Sequence, residues 1–233
     1  MTKWYCVLLF IVSHHCAAKL TVVTENFAPA QYLDANNNLV GDAADKVRLV
    51  LDSVGIDYSI SVNDWSMAYN IALRDPQTCI FSISRSPERE HNFIWFAKLA
   101  QFDTNFYSLK SKGISLTNLE QAKQYRIAVL KDNYSHHYLL SKGFKENENL
   151  MLFSSFDNIF KIIQTRSSSI DLVVIPAQRI NHEQSHLLNK LQLESLMPIN
   201  AHQAPLYFAC NKNLPDNVKQ QLSAAFSSYE SKL

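Results

Sequence analysis

Strand and helix signals alternate from Leu20 to the C-terminus, and that alternation restricts the chain to α/β architectures. Leu20 to Thr24 reads as a strand. Ala43, Val47, Val50, Leu51 and Val54 share one helical face, with Asp42 placed as N-cap and Gly55 as stop. Ile56, Tyr58, Ile60 and Val62 alternate as a second strand, and Asp64 can cap a helix from Ser66 to Arg74. Strands are also expected at Cys79 to Ile83, Phe102 to Leu109, Tyr125 to Leu130, Ile170 to Ile175 and Leu206 to Asn211. Between them lie helix signals at Leu116 to Lys123, up to Lys142 with Gly143 as stop, and at Phe156 to Thr165 behind Ser154 or Ser155. Pro215 opens a C-terminal helix. Two α/β lobes follow from this order, each too small to be a large enzyme domain by itself.

The first 18 residues read as a cleaved signal peptide, with Lys3 as the positive end, Trp4 to Val12 as the apolar run and Ala18 before the cleavage point. His15 precedes Cys16, which does not fit a lipid-attachment cysteine, so the expectation is a soluble exported protein of 215 residues, not inserted in a membrane. Hydrophobic residues make up 47% of the chain, ample for a core, and a net charge of +1 argues against a nucleic-acid surface. With only four glycines, phosphate-cradling loops are absent. Cys79 and Cys210 remain after export; they could pair in an oxidising compartment, but both lie in strand-like runs and two independent buried thiols are the expected state.

Cys79 to Trp95 concentrates the chemistry. A short apolar strand ends in Ser82, Ser84, Arg85 and Ser86, then Pro87 starts a helical turn carrying Arg89. Hydroxyls and free N–H groups can hold the oxygens of a small anion, and a guanidinium can hold a carboxylate through two parallel bonds. A charged surface turn accounts for the same residues without a ligand.

Ser82, Ser84, Ser86 and Arg89 resemble the S-x-S-x-T-x-x-R segment of family 3 extracellular solute-binding proteins, with Ser86 in place of threonine. These proteins collect amino acids and similar solutes for bacterial ABC transporters, and the likeness runs from about Leu20 to the C-terminus. It implies a two-lobed periplasmic-binding-protein-like fold (type II), with 19–103 plus 209–233 as the first lobe and 104–208 as the second. The strands Phe102–Leu109 and Leu206–Asn211 would pair antiparallel between the lobes as a hinge. Arg89 would clamp a ligand carboxylate, helped by Ser82 and Ser84. Phe27 and Trp65 would contact its apolar surface, each alternatively a core aromatic. Asn133, Tyr134 and Ser135 would close from the second lobe. Arg85 reads either as a second cation in the site or as a surface ion pair with Glu88 or Glu90. The resemblance implies a monomeric, periplasmic, non-enzymatic binder of a carboxylate-bearing solute, without cofactor or metal, that serves an ABC permease or a membrane sensor.

The pattern departs from the family at two places. Pro176 stands where amino-acid-binding members carry the carboxylate for the ligand ammonium, and Asp132-Asn133 replaces a glycine-threonine pair; Asp132 could supply the lost carboxylate. A competing motif, His182-Glu183-Gln184-Ser185-His186, matches H-E-x-x-H, in which two histidines bind zinc and the glutamate acts as base. Its segment is polar on all sides and no third ligand stands out downstream, so a solvated helix accounts for it. His136-His137 reads as an exposed pair at a helix start.

Overall fold

The computed structural model describes residues 19–183, 192–199 and 204–231. The expected signal peptide and His186 lie outside them. The first sheet is built from β1 (Leu20–Thr24), β4 (Tyr58–Val62), β5 (Thr78–Ser84), β6 (Phe93–Phe102) and β12 (Ala204–Asn211), in the order β4-β1-β5-β12-β6. β1 and β5 run parallel at its centre, and every residue of β5 is buried, as a continuous apolar run between covering helices requires. α1 (Asp42–Ser53), α2 (Trp65–Arg74) and the C-terminal α8 (Asp216–Glu230) pack on this sheet. α1 opens on Gly41 rather than Asp42, at φ 113. A Cβ there would stand 2.5 Å from the Ala30 carbonyl oxygen, so only glycine allows the chain to pass against the loop after β1. A short ribbon, β2 (Tyr32–Leu33) with β3 (Leu39–Val40), closes that loop.

The second sheet follows the order β11-β7-β10-β8-β9, from β7 (Thr104–Leu109), β8 (Ile127–Leu130), β9 (Leu150–Phe153), β10 (Leu172–Pro176) and β11 (Leu193–Pro198). α5 (Tyr134–Ser141) follows β8, and α6 (Phe156–Thr165) presents an apolar face beneath the sheet. The side chain of Ser155 caps α6 by accepting from the Asn158 N–H. α3 (Pro87–Glu90), α4 (Leu119–Ala122) and α7 (Ala177–Glu183) complete the helices used below. Two sheets flanked by helices make a two-lobed α/β fold, with the chain crossing between sheets at Asp103 and again between β11 and β12.

The strands that cross between the lobes pair antiparallel, as expected, but in another register: Phe102 lies beside Ala204, and Leu206–Asn211 pairs with residues 93–100 rather than with Phe102–Leu109. β7 pairs with β10 and β11, whereas β12 pairs with β5 and β6. The run at Phe93–Phe102, without clean alternation, is a ten-residue strand, and it takes the place beside β12 that the sequence assigned to Phe102–Leu109. Residues 204–208 therefore belong with the first sheet, not the second, because β12 starts at Ala204.

The two buried thiols are not independent: Cys79 and Cys210 face each other in register across β5 and β12 and are joined by a disulfide. The bond spans 131 residues of sequence and ties the returning strand to the centre of the first sheet. Neither cysteine indicates its partner locally; only the strand order brings them together. A cross-link over so long a loop removes much freedom from the unfolded chain. We expect dithiothreitol, or the double change Cys79→Ser with Cys210→Ser, to cost about 2–5 kcal/mol of stability by urea unfolding. Equal unfolding curves with and without reductant would show that the bond does not form.

Candidate functional site

The loop after β1, the ends of β5 and β6 and the start of α2 face β7, β10, α6 and the first turn of α5 across a cleft. Glu25, Phe27, Trp65, Ser82, Ser84, Arg89, Phe102 and Leu206 line it from the first lobe. Thr104, Asn133, Tyr134, Ser135, Phe156, Val174 and Pro176 line it from the second. The cavity between the lobes is about 60 Å³ and partly open to solvent. One end is polar and the other is walled by rings and branched side chains.

Arg89 sits at the polar end, only 2% exposed. Pro87 and the short turn of α3 turn it inward from the end of β5. One of its terminal nitrogens donates to the Ser84 carbonyl at 3.0 Å, the other to the Asp132 carbonyl at 2.9 Å. Its guanidinium lies 5.3 Å from the Trp65 ring and 5.2 Å from the Tyr69 ring. Burial pushes its pKa down, and the Tyr69 hydroxyl opposes that shift. No carboxylate comes within ion-pair distance of it among the described residues. Two of its five N–H groups are satisfied by main-chain oxygens and the Tyr69 hydroxyl is a further partner, which still leaves donors for something entering the cleft.

Ser82 occupies the left-handed region, φ 60, in the middle of β5, where the pairing with β12 slips by one residue. Its hydroxyl donates to Gln31 at 2.7 Å; Gln31 in turn donates to Thr24 at 3.0 Å, and Thr24 to the Phe81 carbonyl at 3.1 Å. This buried chain fixes the loop carrying Glu25 and Phe27 to the strand carrying Ser82 and Ser84. Phe27 stacks 5.2 Å from Phe102 and 5.6 Å from Phe156, so it is both core aromatic and cleft wall. Trp65 has the same double character: its ring underlies Arg89, and its indole N–H donates to the Asp132 carbonyl at 2.8 Å. In the second lobe the Asn133 side chain caps α5 by accepting from the His136 N–H at 2.8 Å, and the first turn of the helix, Tyr134 and Ser135, reaches the cleft.

Arg85 does not join this group. It turns outward, pairs with Glu90 at 2.7 Å and lies 5.5 Å from the Trp95 ring. The surface ion-pair reading holds because Arg85 and Arg89 are separated by the turn at Pro87. Asp132 presents its carbonyl, not its carboxylate, to Arg89 and Trp65.

Sequence reading passed over two charged residues. Glu25 lines the cleft, 8% exposed, and its pKa is raised from 4.5 to about 8. Burial is the main cause, opposed by the charges of Arg179 and Arg89 and reinforced by Asp64. Arg179, 2% exposed on α7, packs against Phe156 and Phe160 and donates to Asp157 at 2.7 Å and to the Asn26 carbonyl at 3.4 Å. Glu25 was hidden because a glutamate in a loop normally faces water. Arg179 was hidden because its partners come from two distant segments. His182 is exposed, its ring 4.8 Å from Tyr32 on the rim.

No protein-family model matches the sequence, and no curated protein matches it. Solved structures do. A histidine kinase sensor domain with similarity to periplasmic binding proteins aligns over 92% of this chain and 91% of its own, at TM-score 0.79 and 14% identity. The arginine-, lysine-, histidine-binding protein ArtJ from Geobacillus stearothermophilus aligns over 92% and 90%, at TM-score 0.76 and 16% identity. An ABC uptake transporter substrate-binding protein from Streptococcus pneumoniae with bound histidine aligns over 92% and 87%, at TM-score 0.76 and 14% identity. The chain thus has the two-lobed fold of periplasmic binding proteins along almost its whole described length.

Proposed function

We propose that the protein binds a small carboxylate-bearing, amino-acid-like solute between its lobes in the periplasm, for uptake by an ABC transporter. The observation that carries the reading is Arg89: a cation 2% exposed, in a cleft, with no carboxylate in ion-pair distance among the described residues. A buried unpaired charge is costly, and an entering anion relieves that cost. Ser84 and the N-terminal turn of α5 stand beside Arg89 to complete the anion site, and the bond from the Ser82 hydroxyl to Gln31 holds the strand in place. Glu25 is the ammonium partner, in place of the carboxylate that Pro176 lacks. The rings of Phe27, Trp65 and Phe156 take the apolar part of the ligand. The likeness to transporter-associated binding proteins supports uptake, and the disulfide is suited to an oxidising compartment outside the cytoplasm. No helix among the described residues is long and apolar enough to cross a membrane. Binding without catalysis, by a monomer that docks on a permease, completes the reading.

Thermal-shift screening of amino acids, small hydroxy acids and dicarboxylates should find a stabilising ligand. Calorimetry on that ligand should show Arg89→Ala weakening it by about 2–5 kcal/mol. At 1.4 kcal/mol per decade this is roughly 30-fold to several thousand-fold. Arg89→Lys should recover only part, because lysine lacks the planar fork. Arg85→Ala should change little, since Arg85 faces Glu90. Undiminished affinity in Arg89→Ala places the clamp elsewhere.

Glu25 gives a test that needs no ligand. Below pH 4.5 both folded and unfolded chains keep this proton; above it the unfolded chain loses it, while the folded chain holds it until about pH 8. Wild-type stability relative to Glu25→Gln therefore falls across that window, by up to about 1.4 kcal/mol per pH unit. Urea unfolding at pH 4.5, 6 and 7.5 should show the variant gaining steadily. A constant difference would mean that Glu25 is ionised in the empty cleft.

A further inference from the structure

The proposed function leaves unused the histidine pair at the start of α5. Sequence placed both on the surface; His137 is exposed, but His136 is only 2% exposed. The Asp132 N–H lies 3.1 Å from His136 Nδ1. On the far side of the ring, His136 Nε2 stands 3.1 Å from Glu146 Oε1, though without a well-aligned hydrogen bond. Asp132, His136 and His137 can each bring one ligand atom within 4.8 Å of the other two.

We propose that these three side chains bind one divalent transition-metal ion of the zinc class at the edge of the cleft. Zinc bonds of about 2.0–2.2 Å at tetrahedral angles hold two ligand atoms about 3.3–3.6 Å apart, so the widest pair of the trio has to close by about 1.2–1.5 Å. Rotation of the exposed His137 side chain supplies that movement. The role of Glu146 gives the arrangement direction. A carboxylate beside Nε2 keeps the proton there and leaves the lone pair on Nδ1, where it accepts from the Asp132 N–H; an ion would take the place of that bond and complete a carboxylate–histidine–metal relay. Two imidazoles and one carboxylate suit zinc, nickel or copper better than magnesium or calcium, and a fourth position stays open to water.

The site has a mechanical consequence. Asp132 sits at φ 58, and its carbonyl accepts from Trp65 and Arg89, both in the first lobe. An ion that holds the Asp132 side chain also holds that carbonyl in place, so metal binding favours the closed lobes.

The test is calorimetric titration of zinc chloride into chelator-treated protein carrying no affinity tag. One ion per chain is expected. His137→Ala, at an exposed position, and Asp132→Asn, which tolerates the same left-handed backbone, should each weaken it at least tenfold. Glu146→Gln should weaken it about 10- to 100-fold. His182→Ala should leave it unchanged. Absence of binding below millimolar zinc overturns the site. So does one-to-one binding that survives His137→Ala, or that is lost in His182→Ala or His186→Ala, which would move the ion to the H-E-x-x-H segment.

Discussion

A buried guanidinium with no carboxylate in ion-pair distance among the described residues is the constraint on which the rest of this structure depends. Arg89 is removed from water and held by two carbonyl oxygens, the Tyr69 hydroxyl and two aromatic faces. Main-chain dipoles and ring faces offset part of the desolvation and no net charge. One of those oxygens belongs to Ser84 in the first lobe and the other to Asp132 in the second. The same side chain therefore joins the lobes, and in the proposed function it also positions the anion.

The surroundings of Arg89 are rigid where an anion would lie. Ser82, Gln31 and Thr24 form a buried hydrogen-bonded chain, and each member has a defined partner. That chain tolerates a left-handed Ser82 in mid-strand, a conformation that costs of order 1–3 kcal/mol and survives only where neighbours over-determine it. Gly41 supports the arrangement from behind, since any larger residue would collide with the Ala30 carbonyl. A site fixed in advance loses less entropy when it is filled.

Much of this was legible in the sequence, for identifiable reasons. Strand and helix periods located most elements, and Ser82, Ser84 and Arg89 fell together because a strand end, a proline turn and an arginine lie within eight residues. Asn133, Tyr134 and Ser135 also reach the cleft, although they come from the other lobe. What escaped was long-range. The partner of Cys79 is 131 residues away and becomes its neighbour only through the order β5-β12. The strand at Phe93–Phe102 was missed because its burial does not alternate cleanly, and with it the hinge was placed in the wrong register. Glu25 carries no local signal at all: its altered acidity arises from burial under residues of both lobes. His136 was read as exposed because polar residues surround it in sequence, while the fold turns it inward.

The contacts that close the lobes explain how a ligand gains control. Trp65 and Arg89 donate to one carbonyl oxygen, that of Asp132, and Arg179 bridges Asp157 to the Asn26 carbonyl. Beside these polar contacts the ring of Phe27 packs 5.6 Å from that of Phe156, so apolar surface also joins the lobes. A solute carboxylate on the remaining Arg89 donors and on the α5 N-terminus would touch both lobes at once, and only in the closed form. The contacts specific to closure then belong to the ligand, and a ligand shifts the balance by no more than its preference for that form. Arg89 thus matters more for the difference between open and closed than for binding alone: its existing bond to Asp132 already sets the distance at which an anion can bridge the two lobes.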